Sequence, residues 1–171
     1  MEAATPDDAD RTPADRTTED PPPATTDGER TERLAAELRR LMDLAERYAR
    51  RLVAATDPPP GVLLLADEGD LDIVALDGPD PDLAALPRLL ARRRPSSAAL
   101  VAAAEGALGG LDVDVVLVAG ETSDGQRDER RFRVRACGRT RRLTRLPDHD
   151  AANAAPSAVH RLFPPQATRS A

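Results

Sequence analysis

The chain has no lysine and no tryptophan, and only one tyrosine, two phenylalanines and one cysteine. Each scarcity excludes something. With so few aromatics, the core must be built from alanine, leucine and valine, which bury less area per side chain. Stacking platforms for single-stranded nucleic acid are missing for the same reason. One cysteine forbids an internal disulfide and makes the reducing cytosol the expected compartment. One cysteine and two histidines also rule out a conventional zinc site within one chain. Long apolar runs are absent too. Runs such as "VLLLA" from Val62 to Ala66 and "AALVAAA" from Ala98 to Ala104 fall far short of the roughly 20 residues a membrane-spanning helix needs. The opening "MEAATPDDAD" is acidic and has no apolar stretch, unlike a secretory signal. All 24 basic residues are arginine, set among abundant alanine, proline and aspartate. GC-rich coding produces that composition, so arginine here stands in for ordinary surface lysine and its numbers alone say little about function.

What is present fits one domain with tails in 171 residues. Residues 1–30 hold nine acidic and three basic side chains and no large apolar residue after Met1. Such a segment cannot bury enough surface to offset chain entropy and is expected to be a disordered acidic tail. Residues 31–56 read as a long helix, with Leu34, Leu38, Leu41, Ala45, Tyr48 and Leu52 recurring at spacings of four and three. Glu29–Arg33, Asp43–Arg47 and Glu46–Arg50 are acid-to-base pairs at i,i+4 that would support its exposed side. The 4-3 repeat is compatible with a homodimeric coiled coil. The flanking Ala35, Met42, Leu44 and Ala49 widen the stripe toward that of a helix lying on a core. "TDPPPG" stops the helix.

Residues 61–147 carry the sheet. Val62–Leu65 and Leu71–Leu76 read as strands around the turn "DEGD". After the loop "DGPDPD", Asp80 and Pro81 have the pattern of a helix start, and the helix would run to about Arg93, with Pro87 kinking or shortening it. Residues 97–108 are ambiguous but lean to a helix, with Leu100, Ala104 and Leu108 on one helical face and a high alanine content, while a strand from Ser97 to Ala104, broken at Gly106, would also suit a meander. Val113–Val118 is strongly β-forming, Asp124-Gly125 signals a hairpin, and Phe132, Val134 and Ala136 alternate with arginines as in a half-buried strand. Cys137-Gly138-Arg139 turns the chain into a last short strand ended by Pro147. Residues 148–171 read as a loose tail, with one helical turn near Val159–Phe163 docking Leu162 and Phe163. The expected fold is therefore α+β: a long N-terminal helix on a mostly antiparallel sheet of four to six strands, with one or two further helices.

Four groupings bear on chemistry. Residues 127–145 hold nine arginines against Asp128 and Glu129, and Arg131, Arg133, Arg135, Arg139, Arg141 and Arg142 are the candidate anion- or partner-binding set. Phosphate contact by such a set would be strongly salt-dependent. The formal net charge of −6 argues instead for a solvated sheet face. Arginines around Cys137 would raise its thiolate fraction, but no histidine base stands near it in sequence, and it reads as a small packing residue. Asp67, Glu68, Asp70, Asp72 and Asp77 lack calcium-loop spacing and read as a solvated turn. Glu105 and Glu121 each end an apolar run and would have to meet to form a carboxylate pair.

No catalytic, cofactor-binding or metal-binding constellation emerges. The reading is a small cytosolic, non-catalytic interaction or accessory protein acting through its sheet and long helix. Its partner would be another protein or a second copy of the chain, with no membrane involved. A nucleic-acid or polyanion binder using residues 127–145 is the alternative. An enzyme with a site assembled from scattered residues around Glu105 and Glu121 is the third reading.

Overall fold

A computed structural model describes residues 26–76, 83–108, 111–147 and 162–163, with the backbone alone for residues 105–108 and 111–112. Helix α1 (Asp27–Ala55) opens the described chain. It starts a turn before position 31, because Thr26 and Glu29 form a capping box: the Glu29 N–H donates to the Thr26 hydroxyl and the Thr26 N–H to the Glu29 carboxylate. Glu29 is thus a cap rather than the partner of Arg33. Of the three helical pairs expected, Glu46–Arg50 forms, at 2.7 Å, while Asp43 turns to the sheet instead.

Six antiparallel strands follow: β1 (Val62–Asp67), β2 (Asp70–Ala75), β3 (Ser97–Leu108), β4 (Leu111–Thr122), β5 (Arg127–Cys137) and β6 (Thr140–Arg145). Their order across the sheet is β2-β1-β3-β4-β5-β6, so β2 and β6 are the edges. A single 3-10 turn (Leu83–Ala85) and helix α2 (Leu86–Arg93) carry the chain from β2 back to β3. The arrangement is α+β, as its sequence pattern implies.

Two outcomes have physical causes. Of the two effects expected of Pro87, shortening is the one found: α2 is short rather than kinked. Pro87 stands in the first turn of α2, where its missing N–H has no helical partner to lose. The Asp80-Pro81 start lies outside the described residues. Residues 97–108 form a strand, not a helix. Ala98, Ala99, Leu100, Val101 and Ala102 are all buried, because both faces of β3 are covered. Tertiary context here overrides alanine's helical preference, and double burial removes the alternation that would have marked a strand.

One core layer lies between α1 and the sheet. There Leu38, Met42, Ala45, Ala49 and Val53 meet Leu64, Val101, Val116, Val118 and Phe132. The other lies on the opposite face, where Leu86, Leu90 and Leu162 cover Leu63, Leu65, Leu100, Leu117 and Ala119. Small residues at the first contact let the helix sit close. A Cβ placed on Gly120 would fall 2.5 Å from the Met42 sulfur. Leu162 and Phe163 dock as expected, Leu162 fully buried and Phe163 half-buried.

Candidate functional site

The alternation in β5 divides the arginines between two faces. Phe132 lies under α1, so Arg131, Arg133 and Arg135 occupy the outer face, joined by Arg142 directly opposite Arg135. Arg141 pairs with Ala136 in the ladder and faces the α1 side, where it meets Asp57 at 2.5 Å. Arg139 is in the β5–β6 turn. The six candidates are therefore not one surface. Nor is the outer face uniformly wet: Arg131 is only 7 % exposed and its Nε donates to Glu129 at 2.6 Å. Arg135, Arg139 and Arg142 are exposed and Arg133 half-buried, and none of these four makes an ion pair with a described residue.

Arg130, absent from the candidate set, has the best-defined role. It shares the parity of Phe132 and so points toward α1. Its guanidinium reaches Asp43 at 2.8 Å, Glu46 at 3.2 Å and Asp128 at 3.2 Å. Glu46 also accepts from Arg50, whose other nitrogen donates to the Leu143 carbonyl at 3.1 Å and whose guanidinium lies 5.6 Å from the Phe132 ring centre. Burial opposes ionisation of Glu46, but hydrogen bonds and charge from Arg50 and Arg130 outweigh it and hold this carboxyl below its ordinary range. The network fastens α1 to β5 and β6. Strand parity was the signal that could have revealed Arg130.

The backbone positions of Glu105 and Glu121, weighed as a carboxylate pair, lie far apart. Glu105 stands opposite Asp114 in the β3–β4 ladder and Glu121 opposite Ala98. Seven positions along β3 separate the two rungs, about 23 Å at ~3.3 Å per residue. Glu121 is 3 % exposed and accepts the main-chain N–H of Leu162 at 2.8 Å. Its burial is structural. Cys137 is exposed at the end of β5 rather than packed, and His149 and His160 lie outside the described residues. Asp67, Glu68, Asp70 and Asp72 are exposed around the β1–β2 turn, and Asp77 lies outside the described residues. Among the described residues no three His, Cys, Asp or Glu side chains converge to hold a metal, and no helix is long and apolar enough to cross a membrane.

The least satisfied surface is elsewhere. Leu71 and Ile73, 46 % and 43 % exposed, are the large apolar side chains left open among the described residues. Both are on edge strand β2. They pair with Ala66 and Leu64 and so lie on the α1 side of the sheet. The helix crosses mainly over β3 and β4 and covers β2 little. The near flank of the helix presents half-buried Leu44, Tyr48 and Leu52. Toward the N-terminal half of α1 this face continues into a groove of about 1320 Å³, floored by Leu41, Leu44, Ala66 and Leu71 and rimmed by Arg33 and Arg40. Beside it Glu37 accepts hydrogen bonds from the Ser96 and Ser97 hydroxyls, tying α1 to the start of β3.

No known protein family, curated protein or solved structure matches the chain.

Proposed function

We propose that this is a non-catalytic protein-interaction module whose docking surface is the open apolar face beside β2. One observation carries the reading: the exposed Leu71 and Ile73 sit together on an edge strand, on the side where the α1 flank adds Leu44, Tyr48 and Leu52. Scattered exposed leucines need no explanation, but a contiguous apolar strip rimmed by charge marks an interaction site. The other readings find less support. Glu105 and Glu121, the pair weighed for an enzyme, stand on rungs seven positions apart along the β3–β4 ladder. A single exposed thiol suits a reducing compartment, and we place the protein in the cytosol on that ground.

Selection from a displayed random-peptide library tests this, using the full chain and its Leu71→Glu/Ile73→Glu variant as targets. Peptides enriched by the native chain and lost with the variant support the docking face. Equal enrichment on both, or none on either, overturns it.

A second reading has its own observation. Arg135 and Arg142 face each other across β5 and β6, a like-charge pair that is unfavourable unless an anion lies between them. Binding of fluorescent duplex DNA that falls steeply with salt and disappears in Arg135→Glu/Arg142→Glu would favour a polyanion there.

A further inference from the structure

The register of the first hairpin specifies how the open face can be used. Glu68 and Gly69, both at positive φ, form a two-residue turn between Asp67 and Asp70. At the other end the Leu76 N–H donates to the Gly61 carbonyl at 2.9 Å. Bonded and non-bonded pairs alternate along an antiparallel ladder. Asp70, Asp72 and Val74 therefore exchange hydrogen bonds with β1. The N–H and C=O groups of Leu71, Ile73 and Ala75 point out of the sheet, and no described strand meets them. The apolar side chains and the free backbone groups thus belong to the same residues. A strand that bonds to the edge would also cover Leu71 and Ile73.

Charge on the two faces of that edge differs. The α1 side carries Leu71 and Ile73. The outer side carries the carboxylates of Asp67, Asp70 and Asp72; Arg94 lines the groove beside Asp67 and Asp70, and Arg93 lies 3.2 Å from Asp72. That pair is exposed on both sides and so binds weakly. An added strand is therefore asked for apolar residues at alternate positions and cations between them.

We propose that β2 accepts an extended segment of a partner protein, alternating apolar and basic residues, as a seventh strand of the sheet. The proposal rests on the docking reading above and narrows it to one mode, strand addition. A second copy of the chain is a poorer fit. A two-fold pairing of β2 with β2 centred on Leu71, which keeps both helices on one side, sets Asp70 of each copy opposite Asp72 of the other, and like charges so placed repel.

The test uses the full chain and fluorescent peptides of about eight residues, a length matched to the strand. One alternates valine with arginine, and one alternates valine with glutamate. Anisotropy should show binding of the valine–arginine peptide and none of the other. Asp70→Arg/Asp72→Arg should weaken the first about tenfold and admit the second. Ile73→Pro is the decisive variant, read against Ile73→Ala, which removes the same side chain but keeps the outward N–H and should retain part of the binding. The N–H that proline lacks points outward, so the hairpin keeps its ladder, while the incoming strand loses a bond and meets the proline ring. Ile73→Pro should abolish binding, with an unchanged denaturation midpoint showing that it folds. Full binding by Ile73→Pro, or no binding by the native chain, overturns strand addition. If library-selected peptides show helical spacing and lose affinity with Leu71→Glu/Ile73→Glu but not with Ile73→Pro, docking stands and strand addition falls. Concentration-dependent self-association that Ile73→Pro removes would make a second copy the occupant and overturn the partner assigned here.

Discussion

The Glu121 carboxylate on β4 accepts the main-chain N–H of Leu162, 41 residues further along the chain, at 2.8 Å, and both groups are buried. A carboxylate placed so deeply has a partner that cannot rearrange away, and the contact pins Leu162 over the outer core layer. Glu121→Gln keeps a carbonyl oxygen for that N–H and should cost little. Glu121→Ala strands a buried donor, for which about 1–3 kcal/mol is the ordinary penalty. Urea midpoints of the two variants check the difference. Equal losses would mean that the hydrogen bond is not what holds Leu162.

Gly120 is the close-approach point of α1 and the sheet. Gly120→Ala places a methyl 2.5 Å from the Met42 sulfur and 2.9 Å from a Leu38 methyl. Overpacking of this kind costs about 1–3 kcal/mol. Combined with Met42→Ala, Gly120→Ala should cost less than the sum of the two single losses, because the two sites share the same space. The midpoints of both single variants and the double variant form a mutant cycle that reads the coupling.

Glu46 gives the acid limb of stability a specific residue. Burial would raise its carboxyl, but Arg50 and Arg130 hold it down more strongly, so its folded value lies below the unfolded one. The unfolded chain then takes up the proton first as pH falls. The stabilisation is present above the ordinary glutamate range, about 4.3, and is lost as pH drops through the lower folded value. Glu46→Gln should be less stable than the native chain at pH 7 and lose less on acidification to pH 3. Chemical denaturation at both pH values measures the slope.

Two arginines two residues apart should behave oppositely. Arg133→Glu changes a half-buried side chain with no described ion pair, and its effect should lie within about 0.5–1 kcal/mol. Arg131→Glu puts a carboxylate in a site 7 % exposed, beside Glu129, and should destabilise by several kcal/mol. Thermal melts of the two variants decide whether β5 carries one arginine face or two kinds of arginine.

The elements legible in the sequence were those with one dry face. Helix α1 showed its stripe because its far side is solvated, and β5 showed Phe132 and Val134 between arginines. β3 was obscure because its alanines are buried on both faces, which leaves no period to find. Arg131 was misplaced for a related reason. Alternation tells which side of a strand a residue takes, not whether that side is wet. Glu121 could not be understood before Leu162 was seen to reach it. The open face on β2 was invisible as well: "DLDIVA" reads as any half-buried strand, and only the strand order makes it an edge.

That order has one further consequence. Every ladder but one joins strands adjacent in sequence through a hairpin. The exception is the antiparallel seam between β1 and β3, five residue pairs from Val62↔Val101 to Ala66↔Ser97, closed only after the chain has passed through α2. The sheet is thus two self-closing pieces, a two-stranded hairpin and a four-stranded meander, zipped along a single short line. Amide protons bonded across that line report the linkage of the two pieces, while those inside each piece report the pieces themselves.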